Sequence, residues 1–173
     1  WGRKGPDWRG ILLVDESQVR MTEQSVFYPA VPQSADGPSL QRTLATLRVR
    51  APPDFEVAAP GPRTEERPRW TFEPERRVQL CLVAGRFVRH EVRREGLALV
   101  VLLRSEHAEL APRIAAEVEN ALDFYRTWLG ELGTCPVPIT VVEIDCRPGS
   151  SYNWASEGVI AIDRRGLRDE FPL

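Results

Sequence analysis

The sequence predicts an α+β protein: an antiparallel β-sandwich portion over residues 1–104, then a helix plus mixed sheet over 105–173. Three observations carry this. Short strand candidates follow one another at close spacing up to Leu103, punctuated by Pro and Gly turns. At Ser105 the hydrophobic period switches from two to three or four. Beyond that helical pattern, Ile139–Ile144 is a β-branched run of the kind a buried strand needs.

Ile11–Val14 and Val19–Met21 are two short strand candidates, and Tyr28 to Pro38 has the composition of an irregular loop. Leu40 to Arg50 alternates, with Ala45, Leu47 and Val49 on one face and Thr46, Arg48 and Arg50 on the other. Phe55–Val57 is a further candidate strand. Arg63 to Arg69, with Glu65 and Glu66 among its arginines, reads as a solvated, self-paired loop. Trp70 and Phe72 share one face of the next strand, and Val78–Val83 begins another. Phe87–Arg93 and Leu97–Leu103 form a hairpin about Glu95–Gly96.

In the second half, Leu110, Ile114, Val118, Ala121 or Leu122, Tyr125 and Trp128 or Leu129 recur at helical spacing, so Tyr125 and Trp128 are expected in the core. Ser105 or Ala111 suits the helix start, Pro112 fits its first turn, and Gly130 is its natural stop. Pro148–Gly149 then opens a polar loop that feeds an apolar edge strand at Val159–Ile162, followed by a turn at Asp163–Gly166.

Composition narrows the function classes. With 23 basic and 25 acidic residues and a net charge of −2, the chain presents no global field that attracts nucleic acid. No apolar run approaches the roughly 18 residues of a membrane span. The chain starts at Trp1, without a signal pattern, and is expected to be a piece of a longer protein. Cys81, Cys135 and Cys146 form no C-x-x-C pair and are expected to be buried free thiols, with a Cys135–Cys146 bridge across the strand they flank as the less favoured alternative. His90 and His107 lie on different elements with no H-E-x-x-H, so no metal site is expected here, and His107 reads as a solvated or capping residue. No G-x-S-x-G motif surrounds Ser150 or Ser151, so no catalytic residue is assigned. Glu143, Asp145 and Glu157 are expected to pair with Arg147, Arg164 and Arg165.

The order of these features resembles the membrane-alanyl-aminopeptidase-like zinc metallopeptidases, the gluzincins. Arg48 to Gly61 is similar to the strand and Pro/Gly segment of their N-terminal β-domain, and Ala84-Gly-Arg-Phe87 to the A-G-x-F strand near its end. Ala121-Leu-Asp-Phe-Tyr125 with Leu129-Gly130, then Ile139–Ile144, resembles the start of their thermolysin-like catalytic domain. Gly149-Ser-Ser-Tyr-Asn153 falls where the family has its G-x-M-E-N loop, and Glu157-Gly-Val-Ile-Ala161 where P-G-L-I follows. The resemblance implies that Gly149, Ser150, Ser151, Tyr152 and Asn153 bind substrate. It implies no cofactor in this segment but zinc in the parent protein, on an H-E-x-x-H helix beyond Leu173. The implied partner is a peptide or protein substrate of that parent. Tyr152 stands where the family's Glu recognises a free amino group, which leaves endopeptidase activity, altered specificity and no activity open. The alternative is a non-catalytic relative serving as a protein-binding or scaffold module. A free-standing β-sandwich interaction domain with an appended helix–strand unit is disfavoured by the apolar edge at Val159–Ile162.

Overall fold

The computed structural model describes residues 12–14, 16–21, 42–94, 97–130, 138–145, 154–156 and 158–167. Numbered along the chain, the first six strands are β1 (Leu12–Val14), β2 (Gln18–Met21), β3 (Leu47–Arg50), β4 (Glu56–Ala58), β5 (Arg63–Glu66) and β6 (Arg69–Phe72). They are followed by β7 (Leu82–Gly85), β8 (Val88–Arg94), β9 (Leu97–Leu103), β10 (Ile139–Ile144), β11 (Trp154–Ser156) and β12 (Val159–Asp163). The helix α1 spans Ala111–Leu129, entered through a 3₁₀ segment at Ser105–Leu110. The architecture is mixed α+β.

A five-stranded sheet of order β11-β12-β10-β9-β8 forms the second half of the fold. β9, β10 and β12 run parallel, while β8 and β11 pair antiparallel at the two edges. The apolar runs at its centre are explained by burial on both faces. Val100, Leu102, Val142, Ile144, Val159 and Ala161 pack towards Ala58, Cys81 and Val83 of the neighbouring sheet. Leu99, Val101, Leu103 and Val141 pack towards Ala111 and Ala115 of α1. The β8–β9 hairpin belongs to this sheet, so residues on both sides of 104 share one set of ladders.

Two antiparallel sheets complete the stack: β1-β2-β7-β4 and β3-β6-β5. Alternation builds the core between them. Leu82, Ala84 and Val57 meet Trp70 and Phe72 across it, with Leu47 and Val49 at its margin. β7 therefore gives Cys81-side residues to one core and Leu82-side residues to another, and all four of its residues are buried. Cys81 is a buried free thiol, as expected, whereas Cys135 and Cys146 lie outside the described residues.

Four expectations are corrected. Arg63 to Arg69 is not a loop: Arg63–Glu66 and Arg69–Phe72 pair as a hairpin, stabilised by the burial of Trp70 and Phe72 beneath it. The strand expected from Leu40 is confined to Leu47–Arg50, preceded by an isolated bridge between Thr43 and Val78. Val159–Ile162 is not the sheet edge, because β11 pairs along it. Finally, Tyr125 and Trp128 are not core. They are 51% and 73% exposed, beside Phe124 and Leu129, because only the first turns of α1 lie over the sheet.

Gly61 has φ +108°, and a Cβ there would stand 2.7 Å from the Pro74 nitrogen. Gly130, at the end of α1, has φ +80° but open space around it. Gly61→Ala is therefore expected to cost about 2–3 kcal/mol, strain plus collision, and Gly130→Ala about 1 kcal/mol. Urea unfolding of the two variants checks the difference, and equal losses would contradict it.

Candidate functional site

The parallel strands β9, β10 and β12 all end on one side of the sheet, at Leu103, Ile144 and Asp163. In open sheets of this kind the carboxyl ends of the strands are where ligands approach. The five residues expected to bind substrate, Gly149, Ser150, Ser151, Tyr152 and Asn153, lie outside the described residues. What the structure shows is the frame on either side of them, from Asp145 at the end of β10 to Trp154 at the start of β11.

On the β10 side the frame is polar and cross-linked. Glu143 is fully buried; its Oε1 lies 3.0 Å from His107 Nδ1, and its Oε2 accepts from the Arg104 backbone nitrogen at 2.9 Å. His107 is thus a buried partner of Glu143, not a solvated residue: the 3₁₀ segment turns it in over the sheet. Asp145 accepts from Arg104 Nη2 at 2.6 Å and pairs with Arg164 Nε at 3.0 Å. The expected Asp145–Arg164 pairing holds, while Glu143 pairs with histidine and backbone instead.

Strand β2 reaches across from the neighbouring sheet to the same place. Gln18 Nε2 donates to the Glu143 carbonyl at 3.0 Å, and Gln18 Oε1 accepts from the Asp145 backbone nitrogen at 3.1 Å. Arg20 Nη1 donates to the Asp145 carbonyl at 2.8 Å. The last two peptide groups of β10 therefore have fixed partners before the chain leaves the sheet. Sequence reasoning missed Gln18 and Arg20, since residues more than a hundred positions away give no local signal. The alternation of β2, which buries Gln18 and Arg20 opposite Val19 and Met21, was the only available cue.

A second polar region lines a cavity of ≈ 610 Å³ between β4, β5 and the amino-terminal ends of β9 and β10. Its guanidiniums are matched by carboxylates. Glu56 is paired by Arg63 and Arg67 and lies 3.5 Å from Arg89 Nη1. Burial raises the Glu65 carboxyl, but the Arg67 hydrogen bond and the Arg63 charge outweigh it and leave Glu65 below its ordinary range. The Arg93 hydrogen bond, opposed by burial and helped by Arg89, lowers Glu91 likewise. This is a self-compensated lattice, as the interleaved charges of the segment suggest.

Among the described residues no three His, Cys, Asp or Glu side chains come together as a metal-binding group. None of their helices is long and apolar enough to cross a membrane. Comparison of the chain with family models and with curated proteins gave no match.

Proposed function

We propose that this chain supplies the β-domain and substrate-loop region of a zinc-dependent metallopeptidase-like protein that cleaves peptide bonds. The observation that supports this reading is β11. It begins at the residue after Asn153, pairs with β12 at the edge of the mixed sheet, and pairs with no other strand among the described residues. Main-chain groups on such an edge can add an extended peptide as a further strand. In sequence, Gly149–Asn153 immediately precede that edge strand. Zinc in such a parent would polarise the peptide carbonyl and activate water. The described residues supply no ligand set for it. The zinc chemistry is assigned to none of the described side chains.

A binding or scaffold module is the second reading. Tyr152 in place of an acidic residue favours it, as does the exposed stripe of Phe124, Tyr125, Trp128 and Leu129. The two separate in one experiment on the full-length protein. Peptides with free and with acetylated N-termini are offered before and after zinc chelation. Hydrolysis that chelation abolishes and zinc restores supports the peptidase; zinc-loaded protein that cleaves neither peptide supports the module. In an active protein, Tyr152→Glu is expected to raise the free-over-blocked preference about tenfold, the worth of one added charge pair in a cleft. An unchanged ratio would place Tyr152 away from the substrate amine.

A further inference from the structure

The arginines of this chain are not distributed evenly between paired and unpaired states. Around the cavity and at the carboxyl ends of the strands they are matched by carboxylates, as with Arg63, Arg67, Arg89 and Arg104. The outer face of the three-stranded sheet differs. β3 turns Leu47 and Val49 inward and exposes Arg48 and Arg50. β6 turns Trp70 and Phe72 inward and exposes Arg69. Arg50 stands directly opposite Arg69 in the β3–β6 ladder, and Arg48 opposite Thr71. Among the described residues, Arg48, Arg50 and Arg69 make no ion pair or hydrogen bond with any side chain. Glu66 is opposite Arg69 in the β5–β6 ladder without closing an ion pair, and Thr64 is the other outward residue of β5.

Like charges facing each other across a ladder destabilise a sheet. Here two guanidiniums do so on a face with a third alongside, whereas the arginines around the cavity are paired with carboxylates. We propose that this face is a docking surface for an acidic segment of a partner protein, bound in extended conformation. This proposal is independent of the peptidase reading.

The spacing selects the partner. Residues two apart on a strand are about 6.8 Å apart, the same interval that separates alternate side chains of an extended peptide. Carboxylates at every second position of such a segment would therefore meet Arg48 and Arg50 in register. Arg69, one strand away, adds a second fork to the carboxylate at Arg50. Arginine suits this role because its planar guanidinium binds carboxylate bidentately. A membrane surface fits less well: the outward residues of the face are Arg48, Arg50, Arg69, Thr64, Thr71 and Glu66, with no apolar side chain to insert and fewer basic groups than polybasic lipid binding uses. A single-stranded nucleic acid fits less well too, since the outward residues of the face include no aromatic side chain on which to stack a base.

The test is fluorescence anisotropy of the full-length protein with a short labelled peptide alternating Glu and Thr. A peptide of equal composition with its Glu residues contiguous, a labelled DNA duplex and vesicles rich in phosphatidylserine are run beside it. The alternating peptide is expected to bind best and to lose about tenfold in affinity between about 50 and about 200 mM salt. The triple variant Arg48→Gln/Arg50→Gln/Arg69→Gln should lose about tenfold or more. Its urea midpoint should not fall, since all three side chains are exposed and two repel each other. Equal binding by the variant overturns the proposal. So does equal binding of the contiguous peptide, or a preference for DNA or vesicles over the alternating peptide.

Discussion

Glu143→Ala is expected to remove about 3–5 kcal/mol of folding stability, the cost of breaking a buried, fully engaged carboxylate. Three losses combine. His107, itself buried, is left without the carboxylate 3.0 Å from its Nδ1. The Arg104 backbone nitrogen loses its acceptor at the point where β9 hands the chain to the 3₁₀ segment. A cavity opens beside β9 and α1, because Glu143 is fully buried on the face that carries Val141. Glu143→Gln keeps the shape and one carbonyl acceptor, so its expected cost is about 1–2 kcal/mol. Urea denaturation followed by circular dichroism measures both. A loss under about 1 kcal/mol for the alanine variant would mean that water reaches the site in solution and replaces the carboxylate.

The same cluster shows what could be read from the sequence and what could not. The central strands were legible because burial on both faces favours apolar residues on both: Leu97–Leu103 is apolar throughout, and Ile139–Ile144 departs only at Thr140 and Glu143. The outward turn of Arg48 and Arg50 was legible from strict alternation. The exposed end of α1 was not. Tyr125 and Trp128 continue the apolar period of Ile114 and Val118, and period alone does not say where the supporting sheet stops. Arg63–Glu66 failed for the opposite reason. A strand whose faces carry Arg, Thr and Glu looks like a loop until its partner β6, anchored by Trp70 and Phe72, is known to pair with it. At the candidate site, the contributions of Gln18 and Arg20 depend on two sheets stacking, a fact about topology that local spacing does not encode. The expected loop residues Gly149–Asn153 are flanked on one side by this clamp and on the other by an edge strand. Their predicted role therefore rests on the resemblance and on the place of β11 at the sheet edge among the described residues.

Trp70 supplies the second large effect, and two substitutions there separate packing from hydrogen bonding. It lies in the middle strand of the outer sheet, fully buried among Phe55, Val57, Phe72 and Leu82. The Arg67 guanidinium carbon lies 5.9 Å from its ring centroid. Trp70→Ala is expected to cost about 3–5 kcal/mol, because the surrounding side chains come from two sheets whose backbones cannot collapse into the space. Yet the ring also carries a penalty in the native protein: Nε1 is buried and has no hydrogen-bond partner among the described residues. An unmade bond to a buried N–H costs about 1–3 kcal/mol, and phenylalanine abolishes the donor. That gain opposes the smaller cavity phenylalanine leaves, so Trp70→Phe is expected within about 1 kcal/mol of the wild type. Unfolding in urea should be followed by far-ultraviolet circular dichroism, since the substitution removes a fluorophore. A phenylalanine variant nearly as unstable as the alanine variant would mean that Nε1 finds an acceptor in solution. The indole would then hold the two antiparallel sheets together by its donor as well as by its area.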